Sequence, residues 1–403
     1  MVVRHKFTSC RENIPMQKLE TQAVVIGGGI TGCGVLRDLA MRGIQATLFE
    51  RGNLSEGTSG NFHGLLHSGG RYAVKDQPAA RECIHENRIL HQIAPQAIED
   101  TGGFFITLND EDEEFLPRFL AGCEEVGIPT EVFSSTEALK EEPQLSPRVR
   151  HAVAVPDGSV DSWDLCIGSV NAAKELGARV FLFTPVTEIL RQGDRVIGVK
   201  AVDQTSGEEY EVHAEYVINA SGPWADKIAR LAGITIPMVL SKGTMVVLDS
   251  RPVTRAINRC RYPTDGDIIV PVGTTVILGT TSVTVEDPDH FSVEEWEVFK
   301  MLEEGIEMVP MIENMSIQRC YGGVRPLYEP PDELQGVEEG REVSRAHFVL
   351  DHEELDSIGG FVTITGGKVT TFRLMAQDTV DLVCKKMGID APCRTHLEPL
   401  PLG

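Results

Sequence analysis

The feature that most constrains this chain is Gly27-Gly28-Gly29-Ile30-Thr31-Gly32, directly behind Ala23-Val24-Val25-Ile26. A short β-branched strand runs into a glycine turn. The turn opens a segment whose apolar positions Val35, Leu36, Leu39 and Ala40 repeat at helical spacing. Gly27 permits the tight turn, Gly29 lets the backbone approach a pyrophosphate, and Gly32 lets helix and strand pack closely. The helix start, at Ile30 and Thr31, offers unpaired N–H groups and a positive dipole end to phosphate oxygens. A second strand, Ala46–Phe49, ends at Glu50. An acid about 20 residues past the turn accepts hydrogen bonds from ribose hydroxyls and repels a 2′-phosphate. Arg51 beside it reads either as a partner for a 2′-phosphate or as an exposed surface charge. Strand, turn, helix and acid together predict an α/β domain that binds a dinucleotide.

A chain of 403 residues can bury a large core and predicts about two domains. Its net charge of −23 excludes nucleic acid as a partner. An anionic substrate is repelled at long range, so a pocket for one must concentrate its own positive charge. The nine cysteines form no CxxC and no cluster, which points to reduced thiols and to no metal site or iron–sulfur ligation within these residues. Residues 1–20 are polar and unperiodic and read as a flexible leader, neither secretory signal nor anchor. No apolar run approaches the ~20 residues of a spanning helix. The expectation is a cytoplasmic protein, either soluble or peripheral on the inner membrane's cytoplasmic face.

After Glu50 comes a long loop rich in Gly, Ser and His, ending His67-Ser68-Gly69-Gly70-Arg71-Tyr72. Loops of this length in compact domains are usually functional. Helical periodicity follows over Ala79–Ile98, Glu113–Val126, Trp163–Leu176, Glu294–Met308 and Thr371–Met387, with strand patterns between them. From Ile236 to Arg345 the pattern is strand-rich. The predicted organisation is a leader (1–20), a discontinuous cofactor domain (21–75, 150–235, 346–395), an inserted and mainly antiparallel substrate domain (76–149, 236–345), and a tail (396–403).

Val217-Ile218-Asn219-Ala220-Ser221-Gly222 is an apolar strand ending in small residues, where backbone can approach a cofactor. Thr365-Gly366-Gly367-Lys368-Val369-Thr370-Thr371 is a second glycine turn feeding a helix, able to stabilise negative charge on a reduced isoalloxazine ring. A cofactor running from the first turn to the last favours non-covalent FAD, and no second GxGxxG offers a nicotinamide site. Arg71, Arg325, Arg345 and Lys368 all fall on loop-like or glycine-rich segments. Taken singly each reads as a solvated or structural cation; as a set they suit a phosphate dianion. Cys320 reads as a buried neutral thiol or as a covalent flavin attachment.

These segments resemble the FAD-dependent glycerol-3-phosphate dehydrogenases, and most closely the A subunits of the anaerobic respiratory enzymes. The resemblance is carried by Gly27–Gly32, Asn61–Tyr72, Arg81–Ile84, Pro156–Gly158, Asn219–Trp224, Asn258–Arg261, Gly323–Leu327 and Thr363–Arg373. It implies a Rossmann-like FAD domain of D-amino-acid-oxidase type with an inserted cap. The implied reaction is oxidation of sn-glycerol 3-phosphate to dihydroxyacetone phosphate by hydride transfer to flavin N5. The implied partners are electron-accepting iron–sulfur and membrane-anchoring subunits, with quinone as final acceptor. The substrate is then expected against Arg71, Tyr72, Arg325, Arg345 and Lys368. The cofactor is expected against Gly27, Gly29, Ile30, Thr31, Gly32, Glu50, Arg51, Thr58, Ser59, His63, Gly64, Leu65, Val186, Ala220, Gly222, Gly366, Gly367, Lys368, Val369 and Thr370. His67, then His63, is the candidate base; both also read as structural or cofactor-positioning histidines.

Two departures accompany the resemblance. Related aerobic enzymes carry a histidine after a Lys-Gly-Ser motif, but here Lys242-Gly243-Thr244 is followed by Met245. The A subunits also usually continue into a cysteine-rich iron–sulfur domain. That domain is expected in another chain, or this is a shorter variant. Two competing readings remain: an oxidase or dehydrogenase of another 2-hydroxy or amino acid, with Arg325 holding a carboxylate, and a non-catalytic flavin electron relay.

Overall fold

The computed structural model of the protein describes residues 16–328, 330 and 343–401. The predicted leader up to residue 15, part of the substrate segment (329 and 331–342) and the last two tail residues lie outside them.

Three layers make the cofactor domain. At its centre is a six-stranded sheet in the order Arg179–Phe181, Ala46–Phe49, Ala23–Ile26, Tyr216–Asn219, Phe361–Gly366, His347–Asp351. Five strands run parallel and the last is antiparallel. Ala23–Ile26, Ala46–Phe49 and Tyr216–Asn219 are buried along their whole length. Their unbroken apolar composition is what a parallel strand covered on both faces requires. Helices Ile30–Met41, Ser162–Glu175 and Phe372–Met387 cover one face through Cys33, Leu36, Leu165, Cys166, Phe372 and Val380. A four-stranded sheet, Gln17–Glu20, Glu209–His213, Arg195–Val202 and Val186–Gln192, covers the other.

The second unit is a nine-stranded sheet. Its backbone is the long pair Met238–Leu248 and Ile317–Tyr328, antiparallel over most of their length. Thr275–Gly279, Ile268–Val272 and Ala256–Arg259 continue it to Gly103–Thr107, His151–Val155 and Glu131–Ser134, while Val283–Thr284 pairs at the other end. Only the Ala256–Arg259 and Gly103–Thr107 pairing is parallel among these ladders.

Two boundaries, and one segment read as loop-like around Arg325, differ from the sequence expectation. Gln17–Glu20, taken as leader, is a strand paired in parallel with Glu209–His213. It is mostly exposed, so no apolar alternation marks it. His151–Val155, assigned to the cofactor domain, pairs with Gly103–Thr107 and Glu131–Ser134 and belongs to the cap sheet. Ile317–Tyr328 is one continuous strand, where Gly322, Gly323 and Pro326 break the expected β pattern.

A buried ion pair ties the last helix to the helix Gln77–Ile93. Arg373 donates from Nε to Glu86 Oε2 at 2.8 Å and from Nη2 to Oε1 at 2.6 Å, with both side chains almost fully buried. Removing one partner strands a buried charge. Arg373→Met is therefore expected to cost about 3–5 kcal/mol in urea denaturation. Lys200→Met, which breaks the exposed pair with Glu188, should cost less than about 1 kcal/mol. Equal costs would contradict this assignment.

Candidate active site

One cavity of about 1330 Å³ runs from the first glycine turn to the last. That exceeds the ~300–1,000 Å³ of ordinary ligand pockets and leaves room for a dinucleotide and a small substrate together. At one end the main chain is built for close approach. Gly27 has φ +111°, and a Cβ there would stand 2.6 Å from the Ala220 carbonyl oxygen. At Gly32 a Cβ would meet the Gly27 oxygen at 1.9 Å. The Ile30 N–H at the helix start donates to Ser59 Oγ at 2.9 Å, an acceptor placed where a phosphate oxygen would also be stabilised. Glu50 accepts from the Gly28 N–H at 2.6 Å and the Gly52 N–H at 2.8 Å. A carboxylate has about four acceptor sites, so two remain for ribose hydroxyls.

Of the expected cofactor residues, Gly27, Gly29, Ile30, Thr31, Glu50, Arg51, Thr58 and Ser59 line this cavity. So do His63, Leu65, Val186, Ala220, Gly222, Gly366, Gly367, Lys368 and Val369. Gly32, Gly64 and Thr370 do not. Gly32 lies beneath the turn, the Gly64 carbonyl accepts from Val160 N–H, and buried Thr370 accepts from His67 N–H at 3.1 Å. These three support the wall instead of forming it. Arg51 is committed elsewhere: it pairs with Asp289 at 3.0 Å and stacks on Trp224.

All five expected substrate residues, and His67, line the far part of the cavity. Arg325 donates from Nη2 to Thr280 Oγ1 at 2.7 Å and to the Thr281 carbonyl at 3.2 Å, and from Nη1 to Ser241 Oγ at 3.2 Å. No carboxylate among the described residues pairs with it. Burial, then the charges of Arg345 and Arg71, pull its pKa down to about 9, so it stays cationic at neutral pH. Lys368 Nζ donates to the Arg345 carbonyl at 2.7 Å and stands 5.1 Å from the centroid of the Tyr72 ring. Burial lowers the pKa of Arg345, and its N–H donates to Asp76 at 3.3 Å. Arg71 corrects the expectation in part: it faces the cavity, but its guanidinium is already paired with Asp267 at 2.8 Å.

His67 and His63 stand edge to face, 5.6 Å apart. The Leu65 N–H donates to His63 Nδ1 at 3.1 Å, which places the proton of neutral His63 on Nε2. Neither ring nitrogen of His67 has a hydrogen-bond partner among the described residues. Burial, then Arg71 and Arg325, lowers the His63 pKa to about 3. Burial, then His63, Arg71, Lys368 and Arg345, holds His67 well below the histidine range. Both rings are neutral at physiological pH.

Sequence reasoning missed the residues that hold Arg325. Ser241 lies within the strand Met238–Leu248 and Thr280 and Thr281 directly follow the strand Thr275–Gly279, with no sequence pattern linking the two segments. Gly243 stands in the Lys242-Gly243-Thr244 segment singled out in the sequence, and it faces Gly323 across the central pair. A Cβ on Gly243 would lie 2.4 Å from Arg325 Nη2, so this glycine makes the guanidinium's space. Lys242 forms a buried pair with Glu297 at 2.6 Å, and Cys320 sits opposite Val246 in the cap, outside the cavity lining.

Comparison with known proteins places this geometry. Residues 22–373 match the model of the FAD dependent oxidoreductases. The chain belongs to that family. It is 48% identical over 393 residues to the A1 subunit of anaerobic glycerol-3-phosphate dehydrogenase from Haloferax volcanii, covering 95% of this chain and 67% of that one. It is 43% identical over 385 residues to the A subunit of the Escherichia coli K12 enzyme, covering 94% and 70%. Within the oxidoreductases it therefore belongs with the anaerobic glycerol-3-phosphate dehydrogenase A subunits, spanning about two thirds of their length. Among solved structures, glycine oxidase from Geobacillus kaustophilus superposes with TM-score 0.74 at 20% identity, over 96% of this chain and 99% of that one. Glycerol-3-phosphate dehydrogenase from Bacillus halodurans, complexed with FAD, gives 0.71 at 23%, over 94% and 67%. These two share the fold. The glycine turns, the helix start and the acid at Glu50 fit FAD.

The buried histidines couple stability to pH. A folded-state pKa below the unfolded ~6.5 means that the unfolded chain binds more protons as pH falls. Stability is thus full above pH ~6.5 and is lost as pH falls toward about 3 for His63, by up to about 1.4 kcal/mol per pH unit for each histidine. His63→Asn, which keeps an acceptor for the Leu65 N–H, should flatten the acid loss of stability measured by denaturation between pH 7 and 5. An unchanged slope would contradict the burial of a neutral ring.

Proposed function

We propose that this chain oxidises sn-glycerol 3-phosphate to dihydroxyacetone phosphate as the flavin-bearing member of a multisubunit dehydrogenase. Electrons leave through iron–sulfur and membrane-anchoring partner subunits to a quinone. The observation that carries the reading is Arg325, a cation that meets no carboxylate among the described residues, in a cavity whose other end is a dinucleotide cradle. The near relatives' names support the substrate. The position proposed is peripheral, on the cytoplasmic face and held by a partner; among the described residues no helix is long and apolar enough to cross a membrane.

FAD held along the glycine turns and Glu50 would supply the two-electron acceptor for the hydride of the substrate's C2. The chain does the rest. Arg325 and Arg345 hold the phosphate by charge-assisted hydrogen bonds, which fixes the orientation of C2. Lys368 and Tyr72 close the same end and favour negative charge developing on the substrate oxygen. His67, neutral and with open ring nitrogens, takes the hydroxyl proton. A phosphate dianion beside Arg71, Lys368 and Arg345 offsets the charges that depress its pKa, so the base strengthens once substrate is seated. A 2-hydroxy or amino acid would place a single carboxylate here, and the gathering of several cations favours the dianion.

Anaerobic mixing with glycerol 3-phosphate should bleach the flavin absorbance of the purified protein. Failure to bleach would favour an electron relay, and bleaching by hydroxy or amino acids alone would favour the competing substrate. Arg325→Met should raise the KM for glycerol 3-phosphate about a hundredfold or more, as loss of a buried charge-assisted contact implies. His67→Ala should slow flavin reduction about 10²–10⁴-fold with little change in substrate affinity. Wild-type reduction rates in His67→Ala would remove it from the mechanism.

A further inference from the structure

The wall over the dinucleotide end contains an ion cluster that the reaction does not use. Segment 285–294 leaves the cap strand Val283–Thr284 and returns to the helix Glu295–Met308. Between them, residues 287–290 form a self-bonded turn. Asp289 N–H donates to Asp287 Oδ1 at 3.0 Å, and His290 Nδ1 lies 2.8 Å from Asp287 Oδ2. The turn reaches the cofactor domain. Asp289 Oδ1 accepts from Arg51 Nη1 at 3.0 Å and from Trp224 Nε1 at 2.8 Å, and its Oδ2 accepts from Lys227 Nζ at 2.8 Å. Lys227 also reaches Asp287 Oδ1 at 2.7 Å. The Arg51 guanidinium lies over the Trp224 ring, 3.9 Å from its centroid.

The placement gives this cluster a role. Arg51 follows Glu50, the ribose-facing acid, and Trp224 follows the small residues Ala220 to Gly222. Arg51, Trp224, Lys227 and Asp289 all line the cavity. About half of the Arg51 and Lys227 side chains is exposed, at 50% and 48%. This stretch of wall therefore stands between the cavity and bulk water. The donors belong to the cofactor domain and both carboxylates to the cap, so the contacts bridge the two units.

We propose that the turn at 287–290 is a clasp laid by the cap across the adenosine end of the cofactor cavity, and that Asp289 must release Arg51, Trp224 and Lys227 before FAD enters or leaves. The clasp rests on the reading of this cavity as the FAD site. Its grip is ionic and partly exposed, so salt loosens it. Each bond is individually weak, and the hold comes from one carboxylate engaging three donors.

The test follows FAD release from the purified holoprotein by the rise in flavin fluorescence after dilution. Asp289→Asn should release FAD about three- to tenfold faster than wild type at low salt, the loss expected for two exposed pairs. In molar salt, where screening acts within ~3 Å, the wild type should quicken to meet the variant. Glu188→Gln, which breaks an exposed pair on the remote four-stranded sheet, should match wild type under both conditions. Equal release from wild type and Asp289→Asn at low salt overturns the clasp while leaving the cofactor reading intact. A wild-type protein that binds no FAD overturns both.

Discussion

The site depends on a cation that, among the described residues, meets no carboxylate inside a strongly acidic protein. With a net charge of −23, carboxylates are abundant, and most arginines of the cap find one. Arg259 takes Asp112 and Arg261 takes Glu304, and Arg71 on the histidine loop takes Asp267. Arg325 is held by neutral oxygens of Ser241, Thr280 and Thr281. Neutral acceptors fix a guanidinium's direction without cancelling its charge. The buried charge costs free energy until an anion arrives, which is how a site selects for one.

The two units contribute different parts. The parallel sheet presents its strand ends at Gly27, Ala220 and Gly366, where main chain without side-chain bulk can line a long cofactor. The cap sheet brings Arg325 from its longest strand, and Arg345 stands two residues before the strand His347–Asp351. The loop from Gly57 to Tyr72 joins the units. Thr58 Oγ1 donates to the Val324 carbonyl at 2.5 Å, and Tyr321 Oη donates to the Phe62 carbonyl at 2.7 Å. These two bonds tie the histidine loop to the strand that carries Arg325.

The first glycine turn was readable because strand, turn, helix and acid each have a local physical cause and all agree. The cation set was readable from its glycine-rich surroundings, but its pairing was not. Nothing near Arg71 in the chain reveals that Asp267 will meet it, and nothing near Arg325 points to Thr280. Such contacts depend on strand register, which a single sequence leaves open. Gln17–Glu20 escaped notice because an exposed edge strand lacks alternation. Ile317–Tyr328 was obscured because its glycines serve close approach: a Cβ on Gly323 would stand 2.0 Å from the Asn61 oxygen. The clasp at Asp289 joins residues from three distant segments, and Arg51, expected to face either cofactor or solvent, bridges the two units.

The most direct measurement is a crystal structure of the FAD-loaded protein soaked anaerobically with glycerol 3-phosphate. The phosphate is expected within hydrogen-bond distance of the Arg325 and Arg345 guanidinium groups, with the C2 hydroxyl toward His67. A phosphate bound elsewhere, with Arg325 turned to a protein carboxylate, would contradict a site built on an uncancelled cation.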